Sequence, residues 1–295
     1  MESQPIPYQP QLTDAGLSAA QAASAVDEYG EIRSGHVAAE RVLTVYLDKR
    51  EIVTLMTLGT RPEMLVLGWL RNQRLITDIH QVKAVQVDWE TESAAVTTFQ
   101  GVEDLDRKTA RKTVTTGCGQ GTVFGDLMDD LEKIKLPRRT LRQSGIYALL
   151  KSLNSYNEVY QRAGAVHGCA LCRGDEIQLF IEDVGRHNAV DAIAGHMWLH
   201  GTSGSDKLFY TTGRLTSEMV IKVAQMGIPV LLSRSGATQM GLDLAKQVGV
   251  TLIARAKGKH FLVYHGADNI TFDAIPPVRP KSTGDRSVEH AKADP

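Results

Sequence analysis

Apolar and polar positions start to alternate near Glu40. Val42, Thr44 and Tyr46 repeat every second residue, and the β-branched run over 52–58 does the same, which is the period of a half-buried strand. Asp48-Lys49-Arg50 lies between the two runs and predicts a hairpin turn. Arg61-Pro62-Glu63 then opens a helix containing Leu65, Leu67, Trp69 and Leu70, because proline's fixed φ suits a first helical turn. Residues 82–87 and 94–99 predict two more strands, and 124–136 an amphipathic segment that ends at Pro137-Arg138-Arg139-Thr140.

Beyond that break the pattern changes. A helix is predicted over 144–156, with Ile146, Leu149, Leu150 and Leu153 on one face, the 3.6-residue stripe of a packed helix. Strands at 167–171 and 176–182 follow, then a helix at 188–200 and a strand at 207–211. The series continues with a helix at 217–226, a strand at 229–232, a helix at 238–248 and strands at 251–256 and 260–264. Strands separated by single helices predict βαβ units and a sheet that is at least partly parallel. Residues 1–35, rich in Pro, Gln, Ser, Ala and Gly, predict a loose arm, and 276–295 a disordered tail. The expected organisation is therefore a β-rich N-terminal domain over 36–137 and an α/β domain over 138–275.

Composition narrows the class without naming a chemistry. The 295 residues are 42% hydrophobic and 23% charged, with a net charge of −1, as in ordinary globular proteins. Near-neutrality argues against a dedicated nucleic-acid binder. No apolar run approaches the roughly 20 residues of a membrane span. The first residues lack a basic stretch followed by an apolar one, so no leader is expected. Three cysteines make no disulfide framework, and a reducing cytoplasm is the simplest compartment.

The candidate chemistry sits in six short stretches. Gly117-Cys118-Gly119-Gln120-Gly121 places one thiol among glycines, an adaptable loop in which a cysteine can reach a partner. Arg107, Lys108, Arg111 and Lys112 precede it, either as a solvated face or as a collar that raises the thiolate fraction. Gly213-Arg214-Leu215-Thr216-Ser217 and Ser233-Arg234-Ser235-Gly236-Ala237-Thr238 each fall between a strand and a helix. That is where open α/β sheets bind ligands, and hydroxyls, backbone N–H groups and guanidinium forks are phosphate ligands. Ser217 and Asn188 are candidate helix caps.

Glu182 to Asp191 is the densest polar run, and its Arg186 and His187 are candidate site residues. His167-Gly168-Cys169-Ala170-Leu171-Cys172 contains a Cys-x-x-Cys. On a strand it would put Cys169 and Cys172 on opposite faces, so small-hydrophobe packing outweighs a zinc site. Lys257-Gly258-Lys259-His260 is a basic turn, either a phosphate clamp or a solvated hairpin. A zinc nucleobase deaminase would need His-x-Glu and Pro-Cys-x-x-Cys, and neither is present.

Taken together, the Gly-Cys-Gly loop, Val53-Thr54-Leu55-Met56, the 182–191 run, Gly213-Arg214-Leu215, Gly227-Ile228-Pro229-Val230 and Ser233-Arg234-Ser235 resemble the formate dehydrogenase accessory sulfurtransferase family, FdhD. The resemblance extends over about 40–270. It implies a cytoplasmic homodimer with a cytidine-deaminase-like three-layer α/β domain and a smaller β-rich N-terminal domain. It also implies a sulfurtransferase that takes persulfide sulfur from a cysteine desulfurase. The acceptor would be the molybdenum or tungsten bis(molybdopterin guanine dinucleotide) cofactor of formate dehydrogenase, bound as a client, with no intrinsic metal. Cys118 falls on the family's persulfide cysteine, and Lys257, Gly258, Lys259, His260, Phe261 and Leu262 on its cofactor-binding segment. Arg186, His187, Arg214, Ser233, Arg234 and Ser235 complete the expected cofactor site. Gly121 stands where the family commonly has a second cysteine, which leaves Cys169 or Cys172 as a candidate replacement. A non-catalytic chaperone for the same cofactor is the alternative.

Overall fold

The computed structural model describes residues 8–103, 105 and 134–277. Its strands are β1 (Gln11–Leu12), β2 (Ala20–Val26), β3 (Ile32–Ala38), β4 (Arg41–Leu47), β5 (Arg50–Thr57), β6 (Val82–Asp88), β7 (Ser93–Thr98) and β8 (Leu141–Arg142). They continue with β9 (His167–Arg173), β10 (Glu176–Asp183), β11 (Leu208–Thr211), β12 (Val230–Ser233), β13 (Thr251–Lys257), β14 (His260–His265) and β15 (Ile270–Thr271). The helices are α1 (Pro62–Asn72), α2 (Gln143–Leu153), α3 (Glu158–Ala163), α4 (Arg186–Leu199), α5 (Ser217–Gln225) and α6 (Gln239–Val248).

The first half forms a five-stranded sheet in the order β1-β6-β7-β4-β5. Asp48 and Lys49 both take positive φ, 48° and 72°, the twist that a two-residue hairpin between right-twisted strands requires. The Asp48 carboxylate then accepts the Thr98 N–H at 2.9 Å and the Thr98 hydroxyl at 2.8 Å, fixing the turn to β7. Pro62 occupies the first turn of α1.

The described part of the expected loose arm is ordered instead. β1 runs parallel to β6, with Gln11 opposite Ala84, and β2 pairs with β3 as a two-stranded hairpin. Thr13 Oγ1 accepts the Val87 N–H at 2.8 Å, Ala15 N donates to Glu63 Oε1 at 2.7 Å, and Trp89 Nε1 donates to the Ala15 carbonyl at 2.7 Å. Hydrogen bonds to a distant sheet, which leave no apolar period, hold this segment in place.

The second half builds a six-stranded sheet in the order β10-β9-β11-β12-β13-β14. β11, β12 and β13 are mutually parallel, while β9, β10 and β14 run antiparallel to their neighbours. One face of this sheet buries Cys169, Leu171, Phe209, Leu231 and Leu252 against α4, α5 and α6, and that core is continuous with α1 and the first sheet. The other face buries Ala170, Cys172, Tyr210, Val230 and Leu232 against Ile146, Leu149, Leu150 and Leu153 of α2. Helices thus cover both faces, as a partly parallel sheet demands. Between the two sheets α1 crosses α4 at Gly68 and Gly195, and a Cβ on Gly195 would lie 1.9 Å from the Met64 carbonyl oxygen. Among the described residues no helix is long and apolar enough to cross a membrane.

Candidate anion-binding site

The parallel strands β11 and β12 release their chains at the same edge of the sheet, and α5 and α6 start just beyond it. The two connecting loops lie side by side. Ser233 Oγ donates to the Gly213 carbonyl at 2.6 Å, Leu215 N to Gly236 O at 2.9 Å, and Thr238 N to Leu215 O at 3.0 Å. Ser233 Oγ also accepts the Ser235 N–H at 2.9 Å. These bonds commit the Ser233 hydroxyl to joining the loops. They leave Arg214 and Arg234 exposed at the rim, with the Arg234 guanidinium 5.3 Å from the centre of the Tyr160 ring.

Arg186 and His187 open α4 at this edge and are 4% and 3% exposed. Gly213 makes room for the arginine, since a Cβ there would lie 2.7 Å from Arg186 Cδ. His167 starts β9, which runs antiparallel to β11 and so reaches the same edge; its Nδ1 lies 3.4 Å from Thr212 Oγ1. The cations act on one another. Burial first, then Arg186, Arg234 and Arg214, push His167 below the usual imidazole range. His187 is pushed down to about 2 by burial, then by Lys222, Arg186, His167 and Arg214. Both rings are therefore neutral at pH 7, and the arginines supply the positive field. Such an arrangement receives a polyanion through guanidinium and backbone donors.

The loop between β10 and α4 is set by Asp183. Its carboxylate accepts from Thr57 Oγ1 (2.6 Å), Leu58 N (3.1 Å), Asn188 Nδ2 (2.8 Å) and Gly185 N (3.2 Å). Asn188 is thus a clamp between β5 and this loop rather than a cap, for Gly185 occupies the cap position; Asn188 Nδ2 also donates to the Met56 carbonyl at 2.6 Å. Ser217 is likewise not a cap. It is the first residue of α5, preceded by Thr216 in extended geometry with no side-chain cap bond. At α6 the cap does form, with Thr238 Oγ1 accepting the Gly241 N–H. Glu182 turns the other way and accepts the Val159 and Tyr160 N–H groups at 2.8 and 2.9 Å, anchoring α3.

The turn at Lys257-Gly258-Lys259-His260 is the exposed β13–β14 hairpin, with Gly258 at φ 61°. β13 runs parallel to β12, so the hairpin projects from the same edge, and Arg255 N donates to Ser235 O at 2.8 Å. Within it Phe261 turns to the α2 side, its ring centre 5.9 Å from that of Tyr147, while Leu262 is exposed.

Cys118, with Arg107, Lys108, Arg111, Lys112 and most of the 124–136 segment, lies outside the described residues. Cys169 and Cys172 are both 0% exposed and pack into opposite faces of the sheet. Burial pushes each thiol up to about 12, and Cys169 Sγ lies 3.3 Å from Thr211 Oγ1. Both thiols are sealed from solvent, which argues against either of them taking the place of an exposed loop cysteine. The described residues hold no group of three or more metal-ligating side chains.

Sequence reasoning passed over the buried residues behind His187. Its Nε2 lies 3.3 Å from Glu218 Oε2, Glu218 Oε1 lies 3.7 Å from Lys222 Nζ, and Lys222 Nζ donates to Asp191 Oδ2 at 2.8 Å. Asn72 Nδ2 donates to Asp191 Oδ1 at 2.6 Å. The spacing of Glu218 and Lys222 on one helix was available in the sequence, but it looks the same on an exposed face.

A mixed α/β protein with Arg186, Arg214 and Arg234 gathered at the carboxyl edge of its parallel strands is the class that this geometry defines. The chain belongs to the FdhD/NarQ family, whose model matches residues 38–271. It is 30% identical over 247 residues to the sulfur carrier protein FdhD of Bacillus subtilis, covering 82% of this chain and 94% of that protein. It is 28% identical over 240 residues to the Bacillus pumilus protein of the same name, covering 81% and 92%. It also resembles the crystal structure of a protein described as a formate dehydrogenase accessory protein, from Desulfotalea psychrophila. That match has a TM-score of 0.67 and 27% identity, and covers 85% of this chain and 98% of the other.

Proposed function

We propose that this protein is a sulfur carrier that accepts sulfane sulfur on Cys118 from a cysteine desulfurase. It delivers that sulfur to the bis(molybdopterin guanine dinucleotide) molybdenum or tungsten cofactor of formate dehydrogenase. Membership of a family whose relatives are named sulfur carriers supports the sulfur half of this reading. The observation that carries the cofactor half is the convergence of Arg186, Arg214 and Arg234 at one sheet edge, which suits a pyrophosphate-bearing client. The basic hairpin from Lys257 to Leu262 would extend that surface along the same edge.

In loading, the Cys118 thiolate attacks the outer sulfur of the donor persulfide. A new S–S bond forms at Cys118, the donor's S–S bond breaks, and the electron pair leaves with the donor thiolate, with no net oxidation. The same reading takes the six-stranded sheet as cytidine-deaminase-like and the working form as a cytoplasmic homodimer, supported by membership of the family. Cys118→Ala is the test. Formate dehydrogenase activity in cells relying on the variant should vanish for a carrier and persist for a chaperone that only holds the cofactor.

A further inference from the structure

The helix α3 is six residues long, and none of them is buried. A helix this short is not stable by itself, and no apolar face in the core holds it. Its cap residue, Asn157, makes no side-chain cap bond; the Asn157 amide donates instead to the Leu153 carbonyl at 2.9 Å. Glu182 of β10 supplies the acceptor from outside, taking the Val159 and Tyr160 N–H groups. That carboxylate is 8% exposed, and a buried charge is unfavourable unless such bonds satisfy it. The fold thus commits a buried carboxylate to a helix that adds no buried side chain. What α3 carries is Tyr160, whose ring centre lies 5.3 Å from the Arg234 guanidinium. Among the described residues Arg234 has no carboxylate partner, so the ring is the contact that holds it.

We propose that Tyr160 is a positioning residue for Arg234. Its ring holds the guanidinium at the carboxyl edge of the parallel strands, so that an anion arriving there meets a cation already ordered. This inference rests on the anion-site reading above and adds a residue to it. An arginine side chain without a partner samples many rotamers in water, and binding must then order it. An aromatic face attracts a guanidinium within about 6 Å of its centre, which leaves fewer rotamers to lose. A ring competes poorly with phosphate oxygens for hydrogen bonds, so the N–H donors of the guanidinium stay available to the ligand. The helix also packs against β3, and a purely structural role for Tyr160 there would not depend on Arg234.

The test is calorimetric titration of the full-length protein with inorganic pyrophosphate, read as a double-mutant cycle. Tyr160→Leu should weaken binding about three- to fivefold, the range of an exposed cation–π contact. Tyr160→Phe, which keeps the ring, should bind within about twofold of wild type. In an Arg234→Ala background Tyr160→Leu should cause no further loss. Equal losses in both backgrounds, or no loss from Tyr160→Leu alone, overturn the proposal. Should Tyr160→Leu not fold, proton NMR of the wild type decides, with Arg234 assigned through Arg234→Ala: its side-chain protons should be shifted by the Tyr160 ring. Unshifted protons in a protein that binds pyrophosphate overturn the positioning and leave the anion site standing. A wild type that binds no pyrophosphate overturns the anion site and, with it, the role given to Tyr160.

Discussion

Gly68 of α1 faces the backbone of Asp191 in α4 so closely that a Cβ at position 68 would lie 1.7 Å from the Asp191 carbonyl oxygen. Glycine in mid-helix is unfavourable by roughly 1 kcal/mol relative to alanine, and here that sacrifice lets two helices cross beneath the site. Asp191 also anchors the buried chain that ends at His187, so the crossing and the site share a residue. Gly68→Ala is expected to destabilise the fold by about 1–3 kcal/mol or more. Urea unfolding would show a lower midpoint at unchanged slope, and an unaltered midpoint would remove the close crossing.

Arg214 and Arg234 stand at the rim, so their worth to a bound anion is moderated by solvent. Replacing both with alanine should weaken pyrophosphate or guanosine diphosphate binding by about tenfold or more and leave thermal stability nearly unchanged. Calorimetric titration gives both affinities, and equal binding by wild type and variant would move the anion elsewhere.

Cys169 and Cys172 should resist alkylation by iodoacetamide in the native protein and react fully in urea. Their sealed positions and their elevation to about 12 leave almost no thiolate at pH 7. Peptide mass spectrometry after a brief pulse reads this directly, and rapid native labelling of either residue would refute their burial.

His196 is held down to about 4 by burial first, then by His200 and Arg61. A histidine with a depressed folded pKa is protonated more readily in the unfolded chain. Its contribution is therefore intact above the unfolded value of about 6.5 and is lost as pH falls from there toward 4. His196→Gln should flatten the acid side of the stability profile between pH 6.5 and 4. Urea midpoints across that range check it, and a profile as steep as that of wild type would count against the depressed pKa.

The regular elements were legible because their apolar periods are strong. Ile146, Leu149, Leu150 and Leu153 mark α2, and the alternation from Val42 to Leu58 marks β4 and β5. The β2–β3 hairpin was not legible, because Ala20–Val26 carries small and polar residues with little period. β1 and its flanks depend on partners more than 45 positions away, such as Glu63 for Ala15 and Val87 for Thr13. That Arg214, Arg234 and Arg186 would gather at one sheet edge was readable, since all three follow strands of one sheet. The interior behind them was not, because Asp191, Glu218 and Lys222 carry the same letters whether they face water or one another. Asp183 and Asn188 were visible as polar residues, but their common partner on β5 was not.

The two sheet cysteines form a Cys-x-x-Cys in sequence, and the pleat sends them into separate cores. A free thiol close to a persulfide would attack it, close a disulfide and release hydrosulfide. If Cys118 carries sulfur as proposed, glycine at 121 and the burial of these two sulfurs would leave its cargo no thiol among the described residues able to discharge it. How long it stayed aboard would then be decided by the proteins that dock, not by the carrier's own chain.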